Sequence, residues 1–260
     1  MKKFLAFLLI VAMATLAFAS CNSGKTLVVG YTIYEPMNFT DEEGNLVGFD
    51  TDLAKAVLED KLGYKVIFKK IEWDQKYIEL EAGTIDCIWN GFTANVSDDD
   101  GVARADKVDF SYNYMLNKQV VVTTKALAES VTGVDSLSGK VGGVEKGSAG
   151  EGYLANLTGS IKKPYTSQLE ALKDLALGAV DFVVLDEQLA TAYVGKGSYA
   201  DLSVTLSGDP EYYAIGFKKG SELTEKVNKA LEELAAEGVI DTIANRYNLV
   251  TAITDFSDQK

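Results

Sequence analysis

The chemistry open to this chain is set first by what is scarce. Histidine is absent, which removes the commonest general base and the commonest metal ligand, and with them most hydrolase and zinc chemistry. Of the 25 basic residues only Arg104 and Arg246 are arginines. A guanidinium grips a carboxylate through two parallel, charge-assisted hydrogen bonds, so Arg104 is a candidate anion receptor. Its plainer reading is a surface arginine balancing Asp98, Asp99 and Asp100. Asp186 closes an apolar run and precedes a helical pattern, at the carboxyl edge of a parallel sheet where open α/β folds bind ligands. An aspartate there would also serve as a helix N-cap. Gly147, Ser148 and Ala149 offer amide donors at a helix start, where the positive end of the helix dipole favours a carboxylate. Glu145, just upstream, could accept hydrogen bonds from an amide or a cation, or be an exposed glutamate. The three aspartates at 98–100 lack the alternating spacing of a calcium loop.

These residues sit on a regular alternation of elements. From Thr26 onward, short β-branched runs alternate with helical stripes, the pattern of parallel α/β sheets. Strands are expected at 26–30, 65–71 and 84–89. Between them come one helix capped by Asp50, with Leu53, Val57 and Leu58 as its apolar stripe, and another capped by Asp74. The pattern recurs downstream, with strands at 140–144 and 179–185, helices opening at Ser148 and Glu187, and a Ser167/Glu170 capping box. Extended stretches at 117–125 and 212–218 link the two units, and two further helices, broken near Gly238, follow. The expected architecture is α/β with two lobes, a ligand cleft between them and two extended crossings. Residues 26–117 with 218–260 form the first lobe and 118–217 the second.

The first residues carry different information. Lys2 and Lys3, an apolar run to Ala19, and Ser20-Cys21 read as a signal peptide over 1–20, with 21–25 as a linker. The run is shorter than the roughly 20 residues of a spanning helix. Beyond that linker Cys87 is the one cysteine, so a disulfide within the folded part is excluded and packing must hold the fold. Cys87 lies in an apolar stretch and is expected to fill core space. The net charge of −13 argues against nucleic acid, which needs a basic face.

Several stretches together are similar to a known family. They are Tyr34-Glu35-Pro36-Met37-Asn38-Phe39 with Gly48-Phe49-Asp50; Trp73-Asp74 with Ile85-Asp86; Asn90-Gly91-Phe92-Thr93; Arg104 with Asp109-Phe110-Ser111; Val180-Asp181 with Asp186; and Tyr213-Ala214-Ile215-Gly216-Phe217. In order and spacing the chain resembles the polar amino-acid-binding branch of the bacterial extracellular solute-binding proteins, family 3, which serve ABC transporters. That resemblance implies a two-lobe periplasmic-binding-protein-like fold of type II. It also implies a free polar L-amino acid as ligand, an ABC transporter permease as partner, no cofactor or metal, a monomer, and an extracytoplasmic place. Leu16 to Cys21 resembles a lipobox, implying a lipid anchor on Cys21 that ties the protein to the membrane.

By the same resemblance Arg104 binds the ligand's carboxylate and Asp186 its ammonium. Thr93 and the backbone of Asn90 and Gly91 add contacts from the first lobe, and Ser148 and Ala149 add amides from the second. Tyr34 and Trp73 sandwich the side chain, and Tyr31 and Glu145 read its far end. The chain departs from the family in a longer acidic loop over 95–103, which either bulges outward or shifts Arg104. Capture by closure follows, with each lobe holding half the contacts. Two other readings stay open: a cleft enzyme of the dehydratase kind, with Glu145 as proton donor, and a ligand-sensing subunit of a receptor. The full Walker pattern, Gly-x4-Gly-Lys-Ser/Thr, is absent, since Ala19 stands where the first glycine ahead of Gly24-Lys25-Thr26 would be, and this excludes the transporter's ATPase.

Overall fold

The computed structural model describes residues 24–256 and 259. The proposed signal peptide and Cys21 lie outside the described residues. The chain opens on β1 (Thr26–Tyr31), then a small hairpin of β2 (Phe39–Thr40) and β3 (Leu46–Val47). Helix α1 (Phe49–Lys55) follows and runs on as a wider π-helical turn over Ala56–Lys61. It buries Phe49, Leu53, Val57 and Leu58, the apolar face that the sequence spacing predicts. Strand β4 (Lys65–Lys70), a 3-10 turn at Trp73–Gln75, α2 (Lys76–Glu81) and β5 (Cys87–Ile88) come next. The short α3 (Arg104–Lys107) and β6 (Asp109–Phe110) complete this part.

The long strand β7 (Met115–Thr124) then leads through α4 (Lys125–Ala128) to β8 (Val141–Glu145), α5 (Ala149–Ala155) and β9 (Ile161–Tyr165). After them come α6 (Gln168–Ala176), β10 (Phe182–Asp186), α7 (Glu187–Tyr193) and β11 (Leu202–Tyr213). The short β12 (Gly216–Phe217) precedes α8 (Leu223–Ala236) and α9 (Val239–Arg246), which are separated by Gly238 in the left-handed region at φ 70°.

Two five-stranded sheets result, in the orders β4-β1-β5-β12-β6 and β11-β7-β10-β8-β9. In the first, β1 lies parallel to β4 and β5, and β12 runs antiparallel to β5 and β6. In the second, β8 is parallel to β9 and β10, and β7 is antiparallel to both β10 and β11. Each sheet is the floor of one lobe. The chain crosses once between β6 and β7, and again between β11 and β12. Gly216 and Phe217 hydrogen-bond into the first sheet, so the second crossing falls ahead of the 217/218 division drawn from sequence. Met115 to Asn117 already pair with Glu211 to Tyr213, so the ribbon of the second lobe starts before residue 118. Helices α8 and α9 bury Val227, Leu231, Leu234, Ile240 and Ile243 in the core shared with α1, and Arg246 pairs with Asp52 there at 2.9 Å. The final helices therefore return to the first lobe.

Two local expectations fail for the same reason, which is that side chains found distant partners. Asp50 is not a cap: Gly48 holds that position, and Asp50 is buried with its carboxylate accepting from Gly91 N at 2.7 Å and Tyr114 Oη at 3.0 Å. Asp74 does not cap α2 either, since its carboxylate pairs with Lys146 of the second lobe at 2.7 Å. The strand expected at 84–89 shrinks to Cys87–Ile88. Ahead of it Asp86 meets Val28 through its own amide and its carboxylate, and Trp89 N closes on Gly30 O.

Candidate functional site

Between the lobes lies a narrow cavity. Thr32, Ile33, Tyr34, Trp73, Asn90, Gly91, Thr93 and Arg104 line it from the first lobe. Glu145, Ser148, Ala149, Gln168, Asp186 and Leu189 line it from the second. Most of these follow the carboxyl ends of parallel strands: Thr32 after β1, Asn90 after β5, Glu145 ending β8 and Asp186 ending β10. Strand ends leave backbone groups and side chains without sheet partners, which is why open α/β folds bind there.

The cavity thus brings together Tyr34, Trp73, Asn90, Gly91, Thr93, Arg104, Glu145, Ser148, Ala149 and Asp186. Tyr31 is the exception. It shares the face of β1 that carries Val29, by the period of two, and its ring meets Phe68 of β4 edge-on at 6.2 Å. Thr32, the next residue, lines the cavity in its stead.

Arg104 is 1% exposed, so it is no surface arginine. Its Nε donates to Asp98 Oδ1 at 2.7 Å, Nη1 to Thr93 O at 3.0 Å and Nη2 to Gly147 O at 3.3 Å, and the guanidinium lies 5.1 Å over the Phe92 ring. The two readings of this residue therefore merge: Arg104 faces the cavity and also balances Asp98. The acidic loop folds back to supply that partner. Burial pushes the Asp98 carboxyl upward, but Arg104, Lys107 and Tyr77 outweigh it and hold it at about 2.

Asp186 stands at the N-cap position just ahead of α7, without a side-chain capping bond. Its Oδ1 accepts from Asn117 Nδ2 and Gln119 Nε2, each at 2.6 Å, and its Oδ2 accepts from Gln168 Nε2. Glu211 Oε1 accepts from the same two amide nitrogens at 2.5 and 2.7 Å, and from Thr93 Oγ1 at 3.0 Å. Two buried carboxylates thus share their donors, on the strands that join the lobes. Burial, then the Asp186 charge, pushes Glu211 up to about 7, and burial raises Asp186 as well.

Other groups of the site are fixed by their neighbours. Asn90 is locked by Thr32 Oγ1 at 2.6 Å and by its own donation to Asn38 Oδ1 at 2.7 Å, which leaves its backbone for a ligand. Gly91 gives its N–H to Asp50, leaving its carbonyl as an acceptor. Ser148 caps α5 through Oγ, accepting from Glu151 N at 3.2 Å, while its own N–H donates to Glu145 O at 3.3 Å. Tyr34 meets Tyr213 hydroxyl to hydroxyl at 2.6 Å, and Trp73 packs edge-on against Phe92 at 5.4 Å. Burial, then Asp186, pushes the Glu145 carboxyl up to about 8 against the pull of Lys76.

Sequence reasoning missed Thr32, Ile33, Gln168 and Leu189 among the lining residues, and Lys76, Glu211, Asn117 and Gln119 behind them. Lys76 is 2% exposed; its Nζ donates to Trp73 O at 3.3 Å and to Gly147 O at 2.9 Å and stacks on Trp73 and Tyr77. Burial, then the Arg104 charge, brings its ammonium down to about 7. Nothing local marks it, because the sequence shows a lysine at the start of a helix, an ordinary solvent position. Cys87 is buried in β5, and burial pushes its thiol up, as expected of core filling. Among the described residues no group of acidic and cysteine side chains could hold a metal ion, and no helix is long and apolar enough to cross a membrane.

Residues 27–250 match the model of the bacterial extracellular solute-binding proteins, family 3. The chain belongs to this family. A probable histidine-binding protein of Neisseria gonorrhoeae is 32% identical over 95% of this chain and 96% of its own length. Among solved structures, an ancestral arginine-binding protein bound to arginine superposes on this family 3 chain with a TM-score of 0.79 and 37% identity, covering 87% of it and 99% of the ancestral chain. An ancestral amino acid-binding protein described as a precursor of cyclohexadienyl dehydratase gives a TM-score of 0.76 at 28% identity, covering 85% and 95%. The two-lobe α/β fold with an interlobe cleft is common to this family 3 chain and these neighbours.

Proposed function

We propose that the chain binds one free polar L-amino acid outside the cytoplasm and delivers it to the permease of an ABC transporter by closing its lobes. One observation carries this: a buried guanidinium from the first lobe and a buried carboxylate from the second line a single interlobe cavity. The amino acid's carboxylate would meet Arg104 and the Ala149 amide, with Ser148 beside it. Its ammonium would meet Asp186, Thr93 and the Gly91 carbonyl, and its side chain would lie between Tyr34 and Trp73. Binding favours the closed form by the difference in contacts between the two forms. The family membership and the ligands of the relatives support the same assignment.

Around this core we place the finer features expected of the chain. These are a monomer, the division of the chain into two lobes given above, and an acyl anchor on Cys21 after removal of 1–20. Each buried methylene of the anchor contributes about 0.8 kcal/mol of membrane attachment. A thermal-shift screen of the twenty amino acids tests the function. A ligand at a hundredfold its Kd stabilises by about 2.7 kcal/mol, a rise of several degrees in Tm for a chain of this size. A flat response to all twenty would refute it.

A second reading keeps some support from Glu145. A buried carboxyl held at about 8 is protonated at neutral pH and able to donate to a leaving group, and one structural neighbour is a precursor of a dehydratase. We favour binding because Arg104 and Asp186 together suit a zwitterion. Incubation with prephenate-like acids distinguishes the two, since product formation would establish an enzyme.

A further inference from the structure

The charges around the cavity do not balance for a simple zwitterion. Arg104 is matched by Asp98 through a 2.7 Å ion pair in which both side chains are buried. Asp186, which shares the donors of Asn117 and Gln119 with Glu211 behind it, already presents a carboxylate to the incoming α-ammonium. That leaves Glu145. It is 5% exposed, lines the cavity, and makes no ion pair among the described residues. The charged and polar groups facing it are Asp186 from β10, Lys76 from α2, Arg104 from α3 and Gln168 from α6, which lends it a hydrogen bond. Lys76 attracts it, yet the ammonium is bound to two backbone carbonyls and two aromatic rings rather than to the carboxylate. A buried carboxylate without a paired cation is costly, and a cation arriving with the ligand removes that cost.

Resting on the amino-acid-binding function above, we propose that the site selects an amino acid whose side chain is positively charged, and that Glu145 is the residue that selects it. Ile33 and Leu189 supply apolar wall for a methylene stem, and Trp73 and Tyr34 add aromatic wall beside it. With Glu145 held at about 8 by burial and by Asp186, the empty site carries a proton on this carboxyl at neutral pH. A side-chain cation that pairs with the carboxylate displaces that proton, so binding releases it to solvent.

Arginine and citrulline have nearly the same shape and differ in side-chain charge, as ornithine and lysine differ from glutamine and norleucine. Calorimetric titration of the mature chain with each of the six, at pH 7 in two buffers of different ionisation heat, tests the inference. The charged members should bind about 30-fold or more tighter than their uncharged counterparts, the scale of a lost buried charge partner, and should release protons. Glu145→Gln should erase both the preference and the proton release. If the wild-type chain takes an uncharged member as tightly as a charged one, or if Glu145→Gln keeps the preference, the inference is overturned while amino-acid binding stands. If none of the six and no other amino acid binds, the function itself fails and this inference with it.

Discussion

Arg104 shows how one side chain can be both a structural and a recognition element. Asp98 holds its Nε edge and the Thr93 carbonyl takes an N–H from Nη1, both within the first lobe, so the guanidinium is oriented before the Gly147 carbonyl of the second lobe closes on Nη2. Preorganisation of that kind lowers the ordering cost of binding. Asp98→Ala should therefore leave Arg104 buried but badly oriented, weakening amino-acid affinity by about 1–3 kcal/mol. Titration calorimetry on the variant checks this, and unchanged affinity would assign Asp98 to surface charge alone.

The buried acids make a second prediction at the same scale. Asp50, Glu145 and Glu211 are raised to about 7, 8 and 7 in the folded chain, so between about pH 4 and 7 the native state holds more protons than the unfolded state. The stability of the ligand-free protein then falls as pH rises across that window. Lys76, lowered to about 7, acts in the opposite sense above neutrality, where the native state binds fewer protons. Asp98, held at about 2, contributes stability that is lost only as pH drops below about 4. Melting of the ligand-free chain should therefore give a higher Tm at pH 5 than at pH 7, and the reverse order would contradict these assignments.

Residues such as Arg104, Asp186 and Ser148 were legible in the sequence because strand-end and helix-start positions can be read locally, and because the family motifs point to them. Their partners were not. Thr93 meets Glu211 across 118 positions, and Asn117 meets Asp186 across 69. The first depends on how the two lobes meet and the second on how β7 registers against β10, which no local pattern encodes. Tyr31, expected beside the ligand, packs on Phe68 while its neighbour Thr32 lines the cavity, because the period of two in a strand sends adjacent side chains to opposite faces.

At the scale of elements, the alternation of strands and helices was legible because each carries its own apolar period, and α8 buries 227, 230, 231 and 234 as its stripe requires. Extents were less so. The strand expected at 84–89 lost its outer residues to the Asp86 contacts with Val28, and the caps expected from Asp50 and Asp74 gave way to tertiary contacts. The loop after β5 is constrained more tightly than its sequence suggests. Gly91 sits at φ 54°, and a Cβ there would lie 2.6 Å from the Tyr34 ring and 3.1 Å from that of Tyr213. Gly91→Ala should thus displace the two tyrosines that meet at 2.6 Å. A loss of about 1–3 kcal/mol in stability by denaturant titration, with weaker ligand binding, is expected. A variant as stable as wild type would show that the loop yields freely.

At the scale of the molecule, the two lobes meet around the cavity through a few polar contacts. Lys146 reaches Asp74 at 2.7 Å, Tyr193 reaches Glu35 at 2.7 Å, and the Gly147 carbonyl accepts from both Lys76 and Arg104. The exposed Lys146–Asp74 pair contributes little on its own. The buried clasp on Gly147 matters more, because Gly147 immediately precedes the amides of Ser148 and Ala149 that border the cavity. In the proposed mechanism closure and recognition are then one event, since Arg104, the first-lobe group assigned to the ligand's carboxylate, also holds the turn of the second lobe.

The central claim is that a guanidinium from one lobe and a carboxylate from the other grip a single zwitterion. Its most direct test is calorimetric titration of the best-binding amino acid into the wild-type chain, Arg104→Ala and Asp186→Ala. The predicted result is saturable binding by wild type and a loss of about 2–5 kcal/mol in each variant, with far-UV circular dichroism unchanged. Affinity retained in either variant, with the fold intact, would contradict the claim.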